Sequence, residues 1–313
     1  MDTRPRDCRV KCPMTPVAKS VVLPGGRSVV IRPASADDID GLGELFGSLS
    51  IEDQLLRFFS VHRPDRAFFE RIVTLAERGV GDALVVETLE GSGRIVAEAD
   101  YVNLADGDAE FSIVVADGWR GGLGRALLDA LLDVAAQHGI PNLQAEILLM
   151  NRRMIGLLRH RPWAVLSHAG LDSFRISIAT LGSMPTWPRA DRKRILVEAR
   201  GARWNYEADA VGSGFAVAAC GGPVGCNPSS CPVLGSPPTT CGLAAEADLI
   251  VVGLPPDDPS TGMLLEAHRR LHPHVPVCIE ASPRDASRAG ETGITRDMPA
   301  GDVIERIRNL VNR

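Results

Sequence analysis

The stretch Glu110 to Ala136, EFSIVVADGWRGGLGRALLDALLDVAA, constrains the fold more than any other part of the chain. An apolar run of strand type enters a turn with glycines at 121, 122 and 124, and the turn opens a long amphipathic helix over 122–139. Leu123, Leu127, Leu131 and Val134 recur at helical spacing, and Gly139 can stop the helix. A strand feeding a helix in this way belongs to an α/β fold, with helices covering a sheet. The junction also has a chemical consequence. Backbone amides at a helix N-terminus, with the helix dipole behind them, attract anions. Gly121, Gly122 and Gly124 remove side chains that would block a phosphate from approaching. A glycine loop alone is only a tight turn, but strand, loop and helix together read as a diphosphate cradle.

The remaining pattern divides the chain. Its 313 residues suit about two domains. We expect a tail over 1–19, a first domain over 20–182, a linker over 183–193 and a second domain over 194–313. The linker carries two prolines and a charge cluster, which suit an exposed connector. In the first domain, Gly25 and Gly26 between two apolar runs predict a hairpin. Ser35, followed by acidic residues, marks a helix start. Helices are predicted over 51–60, 65–77 and 153–160, and strands over 83–89, 94–102, 110–116, 142–150 and 174–180. In the second domain, short apolar strands at 194–199, 215–220, 248–254 and 276–281 alternate with helical stretches, including 263–271 and 302–313. That alternation predicts a parallel sheet.

Charge and composition narrow the function. The net charge of -5 disfavours nucleic acid as a partner, since phosphate binding needs a basic surface. No apolar run approaches the roughly 18 residues of a membrane helix, and the first residues have no apolar core of a secretory signal. We therefore expect no membrane partner and a cytoplasmic location. The seven cysteines, an odd number, read as reduced thiols.

The glycine stretch resembles the acetyl-CoA-binding motif of the GNAT N-acetyltransferases, Gln/Arg-x-x-Gly-x-Gly/Ala. The string LSIEDQLLRFFS (49–60) resembles the Pat-type protein lysine acetyltransferases, and Asn151 stands where the family carries an asparagine. The resemblance covers about 20–182. It implies a GNAT fold, a mixed central sheet flanked by helices, with acetyl-CoA as co-substrate and an amine acceptor, most readily a protein lysine. A small-molecule amine, or acyl-CoA binding without turnover, remain the alternatives. The resemblance further implies that the main chain of Ile113, Val114 and Val115 pairs with the pantetheine arm. Arg120, Gly121, Gly122, Leu123, Gly124, Arg125 and Ala126 would hold the diphosphate, and Asn151 would contact the cofactor arm. Asn151 also suits the N-cap of the following helix.

Glu110 matches the catalytic base by its position in AEFSIVV. Period-two alternation puts Glu110, Ser112 and Val114 on one face of the strand. Partial burial among apolar neighbours would raise its pKa toward working pH. Glu98 and Asp100 on the preceding strand are second choices. Two departures from the family stand out. The motif's Gln/Arg position falls on Trp119, with Arg120 one place later, so the loop reads one residue short. The stretch HRPWAVLSH (160–168) lacks the tyrosine that protonates the leaving thiolate in many members; His160 or His168 could substitute, though each reads more readily as a surface histidine.

The second domain resembles a flavodoxin-like or response-regulator receiver fold. Gly253 stands where the phosphoacceptor Asp would be, the acidic pair reduces to Glu198, and no lysine follows Lys193. Ser282 occupies the Ser/Thr switch position. This implies a regulatory module without the usual phosphoryl chemistry. Cys220, Cys226, Cys231 and Cys241 lie in a Pro/Gly-rich stretch without a CxxC knuckle and read as loop cysteines. His268, His272 and His274 read as solvated side chains at a helix end.

Overall fold

The computed structural model describes residues 18–91, 93–158, 164–168, 172–180, 187, 192–199, 204–221, 231–255, 258–285, 287, 290 and 293–312. The chain opens with a hairpin of β1 (Lys19–Val22) and β2 (Ser28–Pro33). Gly25 and Gly26 turn it at φ 93° and 82°, a backbone region that suits glycine. After a single 3-10 turn at Ala36–Asp38 come α1 (Ile39–Gly47), α2 (Ile51–Phe58) and α3 (Arg66–Val73). Ser50 caps α2 by accepting from the Asp53 amide at 3.0 Å, and Asp65 caps α3 by accepting from that of Phe68 at 3.0 Å. The strands β3 (Gly81–Thr88), β4 (Ile95–Asn103) and β5 (Ala109–Val115) follow. Then come α4 (Leu123–Gln137), β6 (Asn142–Leu148), α5 (Arg152–Leu158), β7 (Ala164–His168) and β8 (Ser173–Ala179).

The sheet is mixed. β1 to β5 pair antiparallel in chain order, β5 meets β6 in parallel, and β6, β8 and β7 pair antiparallel. One face is covered by α4, whose Leu123, Leu127, Leu128 and Leu131 are fully buried against residues such as Tyr101, Phe111 and Leu143. The other lies under α1 and α3, where Leu42, Leu45, Phe46 and Phe69 pack on Val85 and Val114. Each such side chain contributes about 1.5–3 kcal/mol of transfer free energy. The expected helix at 65–77 is shorter, because a turn at Gly79 (φ 65°) intervenes before β3.

The second half contains β9 (Arg194–Glu198), β10 (Ala216–Cys220), β11 (Leu249–Val252), β12 (Val277–Ala281) and β13 (Ile294–Thr295). They are all parallel, in the order β10-β9-β11-β12-β13. Renumbered within this half the order is 2-1-3-4-5, one of the doubly wound arrangements. Helices at Glu207–Gly212, Pro259–Leu271 and Ala300–Val311 follow β9, β11 and β13. The expected parallel sheet is present, an arrangement consistent with an α/β domain in this half. β10 also pairs antiparallel with β7, so one sheet of 13 strands runs through the molecule. In the linker, Trp187 is buried and donates to the Leu243 carbonyl at 2.8 Å.

Two expectations for this half need correction. His268 and His272 are buried, not solvated, and His268 Nε2 lies 3.0 Å from both carboxylate oxygens of Glu198. Their i, i+4 spacing turns both toward the sheet, while Arg269 and Arg270 between them reach outward. Cys231 and Cys241 stand in irregular chain as expected and Cys220 ends β10, but all three are buried in the core, and Cys226 lies outside the described residues. At Gly253, a Cβ would come within 2.8 Å of Glu280 Oε2, so a buried glutamate already fills the space beside that position. Among the described residues, no group of three His, Cys, Asp or Glu side chains could hold a metal ion. No described helix is long and apolar enough to cross a membrane.

Candidate active site

The site begins where the sheet opens. β5 and β6 pair only at Ala109↔Leu143 and Glu110↔Gln144. Beyond that point β5 remains paired with β4, through to Val115, and β6 with β8. The edge of β5 from Phe111 to Val115 therefore has no strand beside it on the β6 side. An unpaired strand edge offers amides and carbonyls to an extended ligand. A cavity of about 940 Å³ occupies this region, ample for a sizeable cofactor.

At the end of β5 a 3-10 turn at Asp117–Trp119 leads into the glycine loop. Gly121 and Gly122 have φ of 113° and 109°, which side-chain-bearing residues rarely adopt. Gly122 also approaches Pro24 of the hairpin, where an added Cβ would sit 3.2 Å from Cδ. Arg27 of the hairpin stacks over the Trp119 ring at 4.2 Å and donates to the Gly118 carbonyl at 2.7 Å, which holds the loop. α4 starts at Leu123, and helix geometry gives the Leu123 and Gly124 amides no carbonyl within the helix.

Most of the expected site residues meet in this cavity. Glu110, Ile113, Val114, Val115, Arg120, Gly121, Gly122, Gly124, Arg125 and Asn151 all line it. Leu123 and Ala126 do not: both lie in the first turn of α4, where Leu123 is fully buried in the core and Ala126 packs against it. Asn151 does cap α5, its Oδ1 accepting from the Met154 amide at 3.1 Å. Glu110 is exposed at the rim, not partly buried among apolar neighbours as expected. The buried carboxyls belong to Glu98 and Asp100, 0% and 8% exposed.

Sequence reasoning missed the charged residues supplied by α2 and α5. Asp53, in the first turn of α2, accepts from Arg120 Nη2 at 2.7 Å and lies 3.6 Å from Arg153. Burial alone would raise the Asp53 carboxyl, but hydrogen bonds from Ser50 and Arg120 outweigh it and hold the group below its usual range. Arg120 also pairs with Asp117. Further along α2, Arg57 Nη2 donates to Ser112 Oγ at 2.5 Å and sits 3.5 Å from Asp100. Ser112 in turn donates to Asp100 Oδ2 at 2.5 Å. Asp53 and Arg57 both lie in the string 49–60, but its helical spacing gave no sign of which face meets the cleft.

Residues 49–161 match the family model described as acetyltransferase (GNAT) family. Over those residues the chain matches a GNAT acetyltransferase domain. Enzymes of this family use acetyl-CoA. Similar solved structures include the GNAT domain of S. lividans PAT, 24% identical, covering 52% of this chain and 96% of that one at TM-score 0.48. A ribosomal-protein-alanine N-acetyltransferase from Brucella melitensis is 24% identical, with coverage of 48% and 98% and TM-score 0.39. The spermidine N-acetyltransferase from Vibrio cholerae, in complex with CoA and spermine, is 16% identical, with coverage of 49% and 95% and TM-score 0.40.

Proposed function

We propose that the GNAT domain transfers the acetyl group of acetyl-CoA to an amine, most readily a protein lysine. The observation that carries this reading is the open edge of β5 ending in a positive-φ glycine loop and a helix N-terminus. Pantetheine would pair along Ile113 to Val115, and the diphosphate would meet the amides of the loop and of α4, with Arg120 and Arg125 beside it. Glu110 would take the ammonium proton at the acceptor side, freeing the amine to attack the thioester carbonyl.

The acceptor side of the cavity supports a lysine. Leu56, Phe58, Phe59 and Val102 supply apolar wall, and Glu110 and Glu146 supply carboxylates. Lysine presents a four-carbon stem that ends in one ammonium, which fits such a wall. For the second half we propose a regulatory role acting through contact along the shared sheet. With Gly253 at the acceptor position and Glu280 against it, phosphorylation there is not the input.

Calorimetry with acetyl-CoA, followed by a thiol-release assay with protein and small-amine acceptors, tests the proposal. Binding, with release that depends on a lysine-bearing protein, is expected. Release only with small amines would overturn the lysine assignment. Binding without release would leave an acyl-CoA sensor.

A further inference from the structure

Collapse of the tetrahedral adduct expels coenzyme A as a thiolate. The departing sulfur ends as a thiol, because a thiol of pKa near 8.5 is mostly protonated at neutral pH, and a positioned acid that supplies that proton speeds the collapse. Among the described residues lining the cavity there is no tyrosine, histidine, cysteine or lysine to supply it. Arginine holds its protons too tightly to serve as an acid. Ser112 and four carboxyl residues remain. Of these, Asp53 is engaged by arginines, and Glu110 is assigned to the ammonium.

The hydrogen bonds around Ser112 lead inward. Ser112 and Asp100 both line the cavity, and the two residues face each other across β5 and β4. Ser112 donates to Asp100 at 2.5 Å, and Glu98 stands two residues back from Asp100 on the same face of β4, where the Asp100 charge acts on its carboxyl. Glu98 is completely buried, and no donor reaches either of its oxygens. Its strand partners are Val85 on β3 and Val114 on β5. Among the described residues, Asp100, beside it, and Arg57, from α2, are the charges that act on it most. Burial first, then the neighbouring Asp100 charge, push its carboxyl well above the usual range, against the pull of Arg57. Both effects favour the protonated form of Glu98, the form that can give a proton. A buried carboxylate without donors would otherwise cost several kcal/mol.

We propose that Glu98, Asp100 and Ser112 form a proton relay that protonates the leaving thiolate. The inference rests on the transferase reading of the cavity. As the C–N bond forms and the C–S bond breaks, sulfur keeps the bonding pair. The Ser112 hydroxyl turns from Asp100 toward the sulfur and gives up its proton. Asp100 hands Ser112 the proton it receives from Glu98. The net change is that Glu98 becomes a carboxylate and coenzyme A a thiol. The protons lost by the attacking ammonium leave through Glu110 to water, and Glu98 is reprotonated from water along the same chain after the thiol departs. Arg57, hydrogen-bonded to Ser112 Oγ, positions the serine.

The test compares the wild type with Glu98→Gln and Ser112→Ala, using the full chain and thiol release from acetyl-CoA. The expected result is a kcat about 100-fold lower in each variant, the low end for loss of one general acid. KM for acetyl-CoA stays unchanged. The wild-type kcat falls at high pH as the relay loses its proton, and Glu98→Gln lacks that descending limb. Glu98→Asp, which keeps an acid, restores most of the rate. Equal kcat and the same descending limb in both variants would overturn the relay. If Glu98→Gln does not fold, Ser112→Ala alone decides, since it cuts the chain without touching the buried acid. No thiol release by the wild type would overturn the transferase reading itself, a different outcome from turnover that ignores Glu98.

Discussion

Glu110 and Asp100 project from the same face of adjacent strands into opposite surroundings. Glu110 is open to water at the rim, and Asp100 sits inside beside Arg57 and Ser112. In the proposed mechanism this difference gives the outer carboxyl the ammonium. Glu110→Gln is expected to lower kcat about 100-fold while leaving acetyl-CoA affinity unchanged, as read by steady-state kinetics and calorimetry. Asp53 has the opposite effect on the cofactor. Its carboxylate occupies Arg120 and lies near Arg153, two cations that could otherwise serve a diphosphate. Asp53→Asn is expected to tighten acetyl-CoA binding about fivefold, on the order of 1 kcal/mol for a partly solvated charge. Weaker binding in that variant would mean that Asp53 aligns the arginines rather than competing for them. Glu110 was legible in the sequence because strand alternation and its motif are local. Arg57, Asp53 and the depth of Glu98 were not, because each depends on which residues meet across 40 or more positions of chain, as Arg57 meets Asp100.

Among the elements, the strand–loop–helix unit was the most readable, and α4 falls at Leu123–Gln137 within the expected 122–139. Its glycine spacing and leucine period are set within one short stretch of sequence. The parting of β5 from β6 is a long-range pairing pattern that no local rule reveals, yet it creates the cleft. β7 also escaped notice, since five residues of mixed polarity carry little strand signal. The loop is exacting in shape. Gly122→Ala is expected to cost about 1–2 kcal/mol, because φ is 109° and the new Cβ presses on Pro24. It should also weaken acetyl-CoA binding. A thermal melt and calorimetry check both effects.

The whole molecule is tied together by one sheet, through Val217↔Leu166 and Ala218↔Val165. A chain ended after residue 182 would leave β7 as an exposed edge, and size-exclusion chromatography is expected to show it self-associating where the full chain does not. The histidines add a pH term. Burial, then the charges of His268 and His274, push His272 down to about 4. The unfolded chain binds that proton near 6.5, so folding excludes it between those values. Stability is therefore greatest above about 6.5 and falls as pH drops toward 4, where the term levels off. Denaturant melts from pH 7 to 4 with His272→Gln are expected to show a shallower fall than the wild type. The most direct test of the whole account is a crystal structure with acetyl-CoA. The diphosphate should lie on the amides of residues 121–124, with pantetheine paired along Ile113 to Val115 and the thioester near Ser112. Acetyl-CoA bound elsewhere, or the edge of β5 covered by the protein's own chain, would contradict it.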